Sequence, residues 1–242
     1  MPHRYFTNEV NETSAVLTGA DAKHLAVVMR AKIGEAVILC DGKGMDYHAI
    51  VRMASPERVE LEVTSFAQSV SEPTQKVKLY VGYPKSDKLE MIIQKATELG
   101  AVEIIPFFSR YCVVTPKKEE QKNERYQRIA LEAAKQAGRG IIPTVRMPLT
   151  YKQMLAEAVQ NDKALFCFES TKGNPPLHSQ LLQSDTAIAI ITGSEGGFSS
   201  EEAQQDVTQG CVSIGLGPRI LRCETAPLAA LAAVMTVTGN LQ

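Results

Sequence analysis

The sequence has no tryptophan, no CxxC pair of cysteines and no long apolar run. Its five cysteines and four histidines are scattered without the spacing of metal ligands. Neither a zinc site nor a disulfide framework is therefore expected, and this cysteine usage fits a reducing cytoplasm. No segment approaches the roughly 18 apolar residues that a membrane span needs, and the start, MPHRYFTNEV, lacks the apolar core of a secretory signal. The sequence therefore predicts a cytoplasmic protein that uses neither a membrane nor a metal.

Two common nucleotide-binding motifs are also missing. No GxxxxGK[ST] segment occurs, and no GxGxxG segment follows an early strand. Because these segments form the phosphate-binding turns of many nucleotide sites, their absence disfavours a nucleoside-triphosphate site and a dinucleotide-binding Rossmann site.

Charge is unevenly distributed along the chain, although the net charge is only −1. Residues 110–152 contain ten basic and four acidic side chains, whereas residues 153–242 contain four basic and nine acidic ones. A local basic face can hold phosphates in a chain of nearly neutral net charge. The central segment is therefore a candidate nucleic-acid surface, with a solvated helix face as the alternative.

Short β-rich runs separated by turn residues occupy residues 1–70. Strands are predicted at Val37–Cys40, Tyr47–Arg52 and Val59–Thr64, and apolar spacing predicts one helix at Asp21–Arg30. This pattern is typical of a small β-barrel-like domain. The polar segment Ser69–Gln75 is the predicted linker to the rest of the chain.

Strands alternate with helices in residues 76–242, which predicts an α/β fold with a mainly parallel sheet covered by helices. The predicted strands are Val77–Gly82, Val102–Phe107, Ala164–Phe168, Ala187–Thr192 and Val212–Ile214. The predicted helices are Ser86–Leu99, Lys117–Ala137, Thr150–Gln160, Leu177–Leu182, Ser199–Gln209 and Ala226–Gly239. Three helix starts carry a potential capping box, formed by Asp87 with Glu90, Thr150 with Gln153 and Ser199 with Glu202.

Two glycine-rich turns follow strands of this predicted sheet. Gly193–Phe198 (GSEGGF) comes after the apolar strand AIAIIT, and Gly215–Glu224 (GLGPRILRCE) comes after Val212–Ile214. Ligands of open parallel sheets bind beyond the carboxyl ends of the strands. The second turn combines glycine backbone with aliphatic side chains, a mixture that suits the edge and the face of a purine. The two turns are therefore a candidate cofactor site.

Several motifs in this order resemble the ribosomal RNA small subunit methyltransferase E family, which belongs to the SPOUT superfamily of knotted methyltransferases. The motifs are GSEGGF, LGPRILRCETA, Arg4-Tyr5-Phe6, the segment around His24 and Arg30, Lys85–Gly100 and Glu132–Pro143. The sequence departs from the family pattern at Ser194, where proline is usual, and at Tyr111 and Ala137. These departures put fine positioning of the substrate in doubt, and not the class.

The resemblance implies a PUA-like RNA-binding β-barrel at residues 1–70 and a SPOUT-type α/β domain with a trefoil knot at residues 76–242. It implies S-adenosyl-L-methionine as the cofactor and N3-methyluridine in 16S rRNA as the product. The implied partners are 16S rRNA or the small ribosomal subunit, and a second copy of the chain in a homodimer.

On this basis three sets of site residues are predicted. The cofactor-binding set is Phe168, Glu169, Thr192, Gly193, Glu195, Gly196, Gly197, Ile214, Gly215, Leu216, Gly217, Ile220, Leu221 and Glu224. The catalytic set is Arg222, Gln136 and Arg139. The RNA-binding set is Arg4, Arg30, Lys85, Lys88, Arg110 and Arg139. His24 is expected to be structural.

Arg222 is the candidate that stabilises the uracil N3 anion, because a permanent positive charge favours loss of the N3 proton but cannot accept it. Its alternative role is an ion pair with Glu224 or Glu195. Glu195 is expected to organise its loop or the cofactor's amino group, and Glu224 to cap the last helix. Arg139 is expected to hold a phosphate, with capping of the preceding helix as the alternative.

Two other functions remain open at this point. One is a knotted methyltransferase that acts on another base or on a ribose hydroxyl, because the same cofactor loops would serve it. The other is a non-catalytic RNA-binding or ribosome-assembly module, which would not bind S-adenosylmethionine.

Overall fold

A computed structural model describes residues 3–113, 119–168, 177–182 and 184–241. Its contacts divide the chain into two compact units. The first unit is Met1–Glu72 together with Ala134–Ile142, and the second is Pro73–Ala133 together with Pro143–Gln242. The division at Glu72 falls inside the predicted linker, whereas the return of residues 134–142 to the first unit was not predicted.

The first unit is built on a five-stranded sheet with the order β1-β3-β4-β5-β2. The strands are β1 His3–Phe6, β2 Ser14–Thr18, β3 Ala36–Cys40, β4 Met45–Ala54 and β5 Arg58–Gln68. β1 pairs with β3 in parallel and the other pairings are antiparallel. The register between β4 and β5 shifts at two places, and such irregularities bend a sheet.

The helix predicted at Asp21–Arg30 is broken in the structure. α1 spans Gly19–Lys23 and continues into a single π-helical turn, His24–Val28, before Arg30 takes a positive φ of 54°. The wider turn leaves Leu25 in the core but exposes 64% of Val28. His24, expected to be structural, is exposed, and its Nδ1 shares a hydrogen bond of 2.9 Å with the Tyr5 hydroxyl.

The second unit contains a sheet in which every pairing is parallel. Its order is β12-β10-β11-β6-β7-β8, and β9 also pairs with β7. The strands are β6 Lys76–Gly82, β7 Glu103–Phe108, β8 Thr144–Val145, β9 Leu149–Thr150, β10 Lys163–Cys167, β11 Ala187–Thr192 and β12 Val212–Ile214. The predicted parallel sheet is thereby confirmed.

The helices are α2 Lys88–Glu98, α3 Glu119–Ala137, α4 Tyr151–Ala158, α5 Ser200–Thr208 and α6 Thr225–Val237. The start of the helix predicted at Lys117–Ala137 lies outside the described residues. The predicted helix Leu177–Leu182 is reduced to a 3-10 turn at Leu177–Ser179.

Alternate residues of β11 enter two different cores, which explains the continuous apolar run. Ile188 and Ile190 pack with α2 and α6, whereas Ala189 and Ile191 pack with Phe166 on the opposite face. A strand covered on both faces needs apolar side chains at every position.

Two of the three predicted capping boxes form. Thr150 with Gln153 and Ser199 with Glu202 exchange both side-chain hydrogen bonds at the starts of α4 and α5. The prediction for Asp87 was wrong, since its side chain makes no capping bond. Glu224 likewise makes no side-chain cap at α6, and its carboxylate is used in the site described next.

Candidate active site

A cavity of about 460 Å³ lies beyond the carboxyl ends of β12, β10 and β11, three neighbours in the sheet. Its walls combine the loop after β11, the loop after β12 and the end of β10. The lining residues are Lys88, Cys167, Phe168, Gly193, Ser194, Glu195, Gly197, Phe198, Leu216, Gly217, Pro218, Arg219, Ile220, Leu221, Arg222, Cys223, Glu224 and Ala226. The structure thus brings together the two glycine-rich turns that the sequence singled out.

The loop after β11 is a compact turn supported by backbone contacts. The Gly197 N–H donates to the Ser194 carbonyl at 2.9 Å, and Gly197 has a φ of +64°, which favours glycine. Phe198 then enters the core, where its ring lies 4.5 Å from that of Phe166 and 6.4 Å from that of Tyr151. The aromatic core therefore holds the end of the loop in place.

Gly82, at the end of β6, lies directly beneath this loop. A Cβ at position 82 would stand 2.3 Å from the Ser194 nitrogen and 2.7 Å from the Gly193 carbonyl carbon. Both are backbone atoms, so they move only if the loop itself moves. Gly82 was not predicted to belong to the site, because its role appears only when β6 and the loop lie side by side.

We expect Gly82→Ala to displace the loop and to weaken ligand binding in the cavity at least about tenfold, with a loss of stability of about 1–3 kcal/mol. Titration calorimetry and urea denaturation measure the two effects. Gly210→Ala is the control, because Gly210 has a φ of +104° and open space around it, away from the cavity. The control is expected to lose stability only; equal losses of affinity in both variants would refute the steric argument.

The loop after β12 supplies the apolar wall of the cavity. Ile220 is 85% exposed, an unusual state for a large aliphatic side chain that lines a concave surface. Gly217 has a φ of +95° and leaves open space beside its Cα. A flat apolar group can therefore lie against the Ile220 side chain, beside the open backbone of Gly217.

Lys88 occupies the charged end of the cavity. Its Nζ lies 2.9 Å from Glu195 Oε1, 3.4 Å from Glu224 Oε2 and 3.6 Å from Cys223 Sγ. Glu195 Oε1 also accepts the Lys85 backbone N–H at 3.0 Å. Burial by itself would raise the pKa of Glu195, but the hydrogen bonds from Lys88 and from backbone N–H groups outweigh it and lower this pKa to about 2. A backbone hydrogen bond likewise lowers the pKa of Glu224, so both carboxylates are ionised at neutral pH.

Arg222 lines the same cavity and is exposed. Within the described residues its guanidinium has no ion pair, so the alternative role of a partner for Glu224 or Glu195 is not realised: Lys88 takes both carboxylates. The Arg222 carbonyl accepts the N–H groups of Thr225 and Ala226 at the start of α6. The backbone is thus fixed while the charged group is available to a ligand.

Two family models match this chain: one described as an RNA methyltransferase domain, over residues 71–235, and one described as an RNA methyltransferase PUA domain, over residues 17–64. The ribosomal RNA small subunit methyltransferase E of Bacillus subtilis is 37% identical over 233 residues, which are 93% of this chain and 91% of that protein. This chain belongs to the ribosomal RNA small subunit methyltransferase E family. A relative of the same name from Mesomycoplasma hyopneumoniae is 34% identical over 93% of the chain.

Solved structures of methyltransferases have the same fold. The methyltransferase E of Neisseria gonorrhoeae, bound to S-adenosyl methionine, has a TM-score of 0.84 and 28% identity over 98% of both chains. A putative methyltransferase from Legionella pneumophila, in complex with the cofactor SAM, has a TM-score of 0.82 and 28% identity over 98% of both chains. The predicted fold class, an α/β unit with a PUA-like domain, is confirmed, whereas the trefoil knot stays a prediction.

In this member of the methyltransferase E family, the predicted cofactor residues differ in their position relative to the cavity. Most line the cavity. Thr192 and Ile214 are buried at the strand ends behind it, and Gly196 and Gly215 lie in the loops without lining it. Glu169 lies outside the described residues. The prediction missed the lining residues Cys167, Ser194, Phe198, Pro218, Arg219, Cys223 and Ala226, most of which belong to the two motifs and were signalled by them.

Two predicted RNA-binding arginines are held in ion pairs, Arg4 partly buried and Arg139 buried. Arg4 donates two hydrogen bonds of 2.8 and 2.9 Å to Asp46, and only 16% of its side chain is exposed. Arg139 Nη2 lies 2.6 Å from Glu72, and 3% of its side chain is exposed. This burial argues against a phosphate contact by either residue, and for Arg139 it also argues against the predicted catalytic role.

The remaining predicted contacts are at the surface. Arg110 pairs with Glu201, and the Lys88 ammonium is engaged at the cavity. The side chains of Arg30, Lys85 and Gln136 are exposed, and none of the three lines the cavity. Within the described residues, no helix is long and apolar enough to span a bilayer, and no His/Cys/Asp/Glu group could hold a metal ion.

A buried acid lies behind the aromatic residues that hold the first loop. Asp206 is fully buried, and its Oδ1 accepts a hydrogen bond of 2.5 Å from the Tyr151 hydroxyl. Burial raises the pKa of Asp206 to about 6, the Tyr151 hydrogen bond lowers it, and the charge of Glu202 raises it further. The Asp206 Oδ2 has no hydrogen-bond partner in the described part of the chain.

This pKa predicts a stability that falls as pH rises. Because the folded pKa of about 6 exceeds the ordinary 3.8, protonated Asp206 stabilises the protein most below pH 3.8, and this contribution is lost as pH rises through about 6. Asp206→Asn is expected to shrink the difference in unfolding free energy between pH 5 and pH 8 by about 1 kcal/mol. Urea denaturation at both pH values measures this difference. If Asp206→Asn left the difference unchanged, a group other than Asp206 would be responsible for the pH dependence.

Proposed function

We propose that this chain transfers a methyl group from S-adenosylmethionine to N3 of a uridine in 16S rRNA. The observation that carries the proposal is a cavity at the carboxyl edge of the parallel sheet, formed by two glycine-rich loops and flanked by an arginine without an ion-pair partner in the described residues. The family of the chain supports the reaction class, and the finer assignment to uridine N3 follows from the resemblance.

The donor set of the cavity fits S-adenosylmethionine. Leu216, Ile220 and Leu221 offer an apolar wall for an adenine ring, and the glycine backbone offers hydrogen-bonding groups for its edge. Lys88 and the carboxylates of Glu195 and Glu224 form a charged end that suits the amino acid portion. When bound, this cofactor supplies an electrophilic methyl group on a sulfonium.

Arg222 is the residue to which we assign stabilisation of the uracil. The uridine N3–H is a weak acid, and a fixed positive charge near the uracil carbonyls favours its anion. Since N3 lies on the Watson–Crick edge, the uridine must be unpaired or extruded before it reaches the cavity.

The basic side chains of segment 110–152 are our candidates for RNA contact, and the buried Arg139 is not among them. A homodimer in which both copies contribute to the substrate site is part of the same proposal. Light scattering tests it directly, because a dimer has twice the mass of the 26.4 kDa chain.

Two measurements test the function. Titration with S-adenosylmethionine should release or absorb heat with a 1:1 stoichiometry, and no heat at millimolar ligand would exclude both enzyme hypotheses and leave an RNA-binding module. Nucleoside mass spectrometry of 16S rRNA from a strain that lacks the protein should then show the loss of one N3-methyluridine. Loss of a different methylated base or of a methylated ribose would assign the other target class.

A further inference from the structure

The start of α2 and two loops meet at the Lys88 ammonium. Lys88 begins α2, shortly after β6 ends; Glu195 belongs to the loop after β11, and Glu224 to the loop after β12. β11 and β12 are not neighbours, since β10 lies between them. A single cation therefore connects two loops that the sheet keeps one strand apart.

The carboxylates of Glu195 and Glu224 share the cavity with two arginines, Arg219 and Arg222. Glu224 is two residues from Arg222 in the chain, and Glu195, Arg219 and Arg222 line the same space. Both glutamates have lowered pKa values, so each carries a full negative charge at neutral pH. An arginine readily forms a bidentate ion pair with a carboxylate. Such a pair would occupy the guanidinium that a substrate has to contact.

We propose that Lys88 is a positioning residue: it ties the two cavity loops together and, by pairing with Glu195 and Glu224, keeps the Arg222 guanidinium available to the substrate. The proposal rests on the role assigned to Arg222 under the proposed function. It also replaces the expectation that Lys88 itself contacts RNA, because two carboxylates and a thiol surround the ammonium at 2.9–3.6 Å.

The first test measures the accessibility of Arg222 and needs no activity. Phenylglyoxal modifies unpaired guanidinium groups, and peptide mass spectrometry gives a rate for each arginine. We expect Lys88→Met, which keeps the apolar stem and removes the charge, to slow modification of Arg222 by about threefold or more. Arg30, exposed in the first unit, is the internal control and should react at an unchanged rate.

A suppressor variant separates this mechanism from a general disturbance of the cavity. In Lys88→Met combined with Glu195→Gln and Glu224→Gln, the amides cannot hold Arg222 as an ion pair, so its modification rate should return toward that of the unaltered protein. Lys88→Arg keeps the cation and should leave the rate unchanged. A rate that is unaffected by Lys88→Met, or that stays slow in the triple variant, would overturn the proposal.

The second test uses turnover at saturating S-adenosylmethionine and RNA. Lys88→Met is expected to lower kcat about tenfold, and the triple variant to recover part of that loss. If the unaltered chain methylates no uridine, the proposed function fails, while the phenylglyoxal rates still decide the role of Lys88. If the chain is active and kcat is unaffected by Lys88→Met, the proposed function stands and the Lys88 proposal fails.

Discussion

Arg222→Ala is expected to lower kcat for uridine methylation by about 10²–10³-fold, the usual cost of removing one group that stabilises developing negative charge. Binding of S-adenosylmethionine should change by less than about threefold, because the proposed role of Arg222 concerns the uracil. Single-turnover methylation with saturating cofactor measures the first effect, and calorimetry measures the second. Arg222→Lys keeps the positive charge but loses the planar guanidinium with its paired donors. Its kcat should therefore lie between that of the unaltered chain and that of Arg222→Ala.

Arg219→Ala is the matched control for this prediction. Arg219 lies in the same loop, lines the same cavity and is equally exposed, so its removal takes the same charge from the same wall. We expect a loss of kcat below about tenfold. Equal losses of kcat in the two variants would indicate a nonspecific electrostatic effect of positive charge on this loop. If Arg222→Ala turned over at the rate of the unaltered chain, Arg222 would have no role in the mechanism.

The second large effect concerns stability and lies in the first unit. Glu72 accepts hydrogen bonds from Arg139 and from the backbone N–H groups of Gly140 and Ile141, at 2.6–3.3 Å. We expect Glu72→Ala to destabilise the protein by about 3–5 kcal/mol, because it leaves the Arg139 charge buried without this carboxylate. Thermal or urea unfolding measures the difference.

Glu62→Ala is the control for Glu72→Ala. Glu62 pairs with Arg52 in the same unit, but about half of each side chain is exposed, and such pairs contribute about 0–1 kcal/mol. Glu72→Gln keeps an oxygen acceptor for the backbone N–H groups and separates their contribution from that of the charge. A loss for Glu72→Ala as small as that of the control would show that the buried pair is not a principal support of the unit.

The predictable parts of this protein were those set by local sequence. The run AIAIIT was predicted to be a strand because its first five residues are apolar, and the boxes at Thr150 and Ser199 were identified because both partners lie within one helical turn. The two glycine-rich turns were singled out for a related reason, since ligands of open parallel sheets bind beyond the carboxyl ends of the strands, and both turns line one cavity in the structure.

The choice of ionic partners was not predictable in the same way. Arg139 and Glu72 are 67 residues apart in the chain, and Lys88 and Glu195 are 107 residues apart. A motif shows that an arginine or a lysine is present, but not whether a distant carboxylate has already engaged it. For this reason Arg139 and Lys88 were assigned to RNA from the sequence, whereas the structure buries one and places the other between two glutamates.

The return of Ala134–Ile142 to the first unit also constrains how the chain folds during synthesis. When residue 72 leaves the ribosome, Arg139, the ion-pair partner of Glu72, has not yet been synthesised. About 70 further residues must be made before the pair can form. At roughly 5–20 residues per second this delay lasts several seconds. The first unit therefore cannot complete its fold before part of the second unit has emerged. The folding of the two units is thus coupled during synthesis.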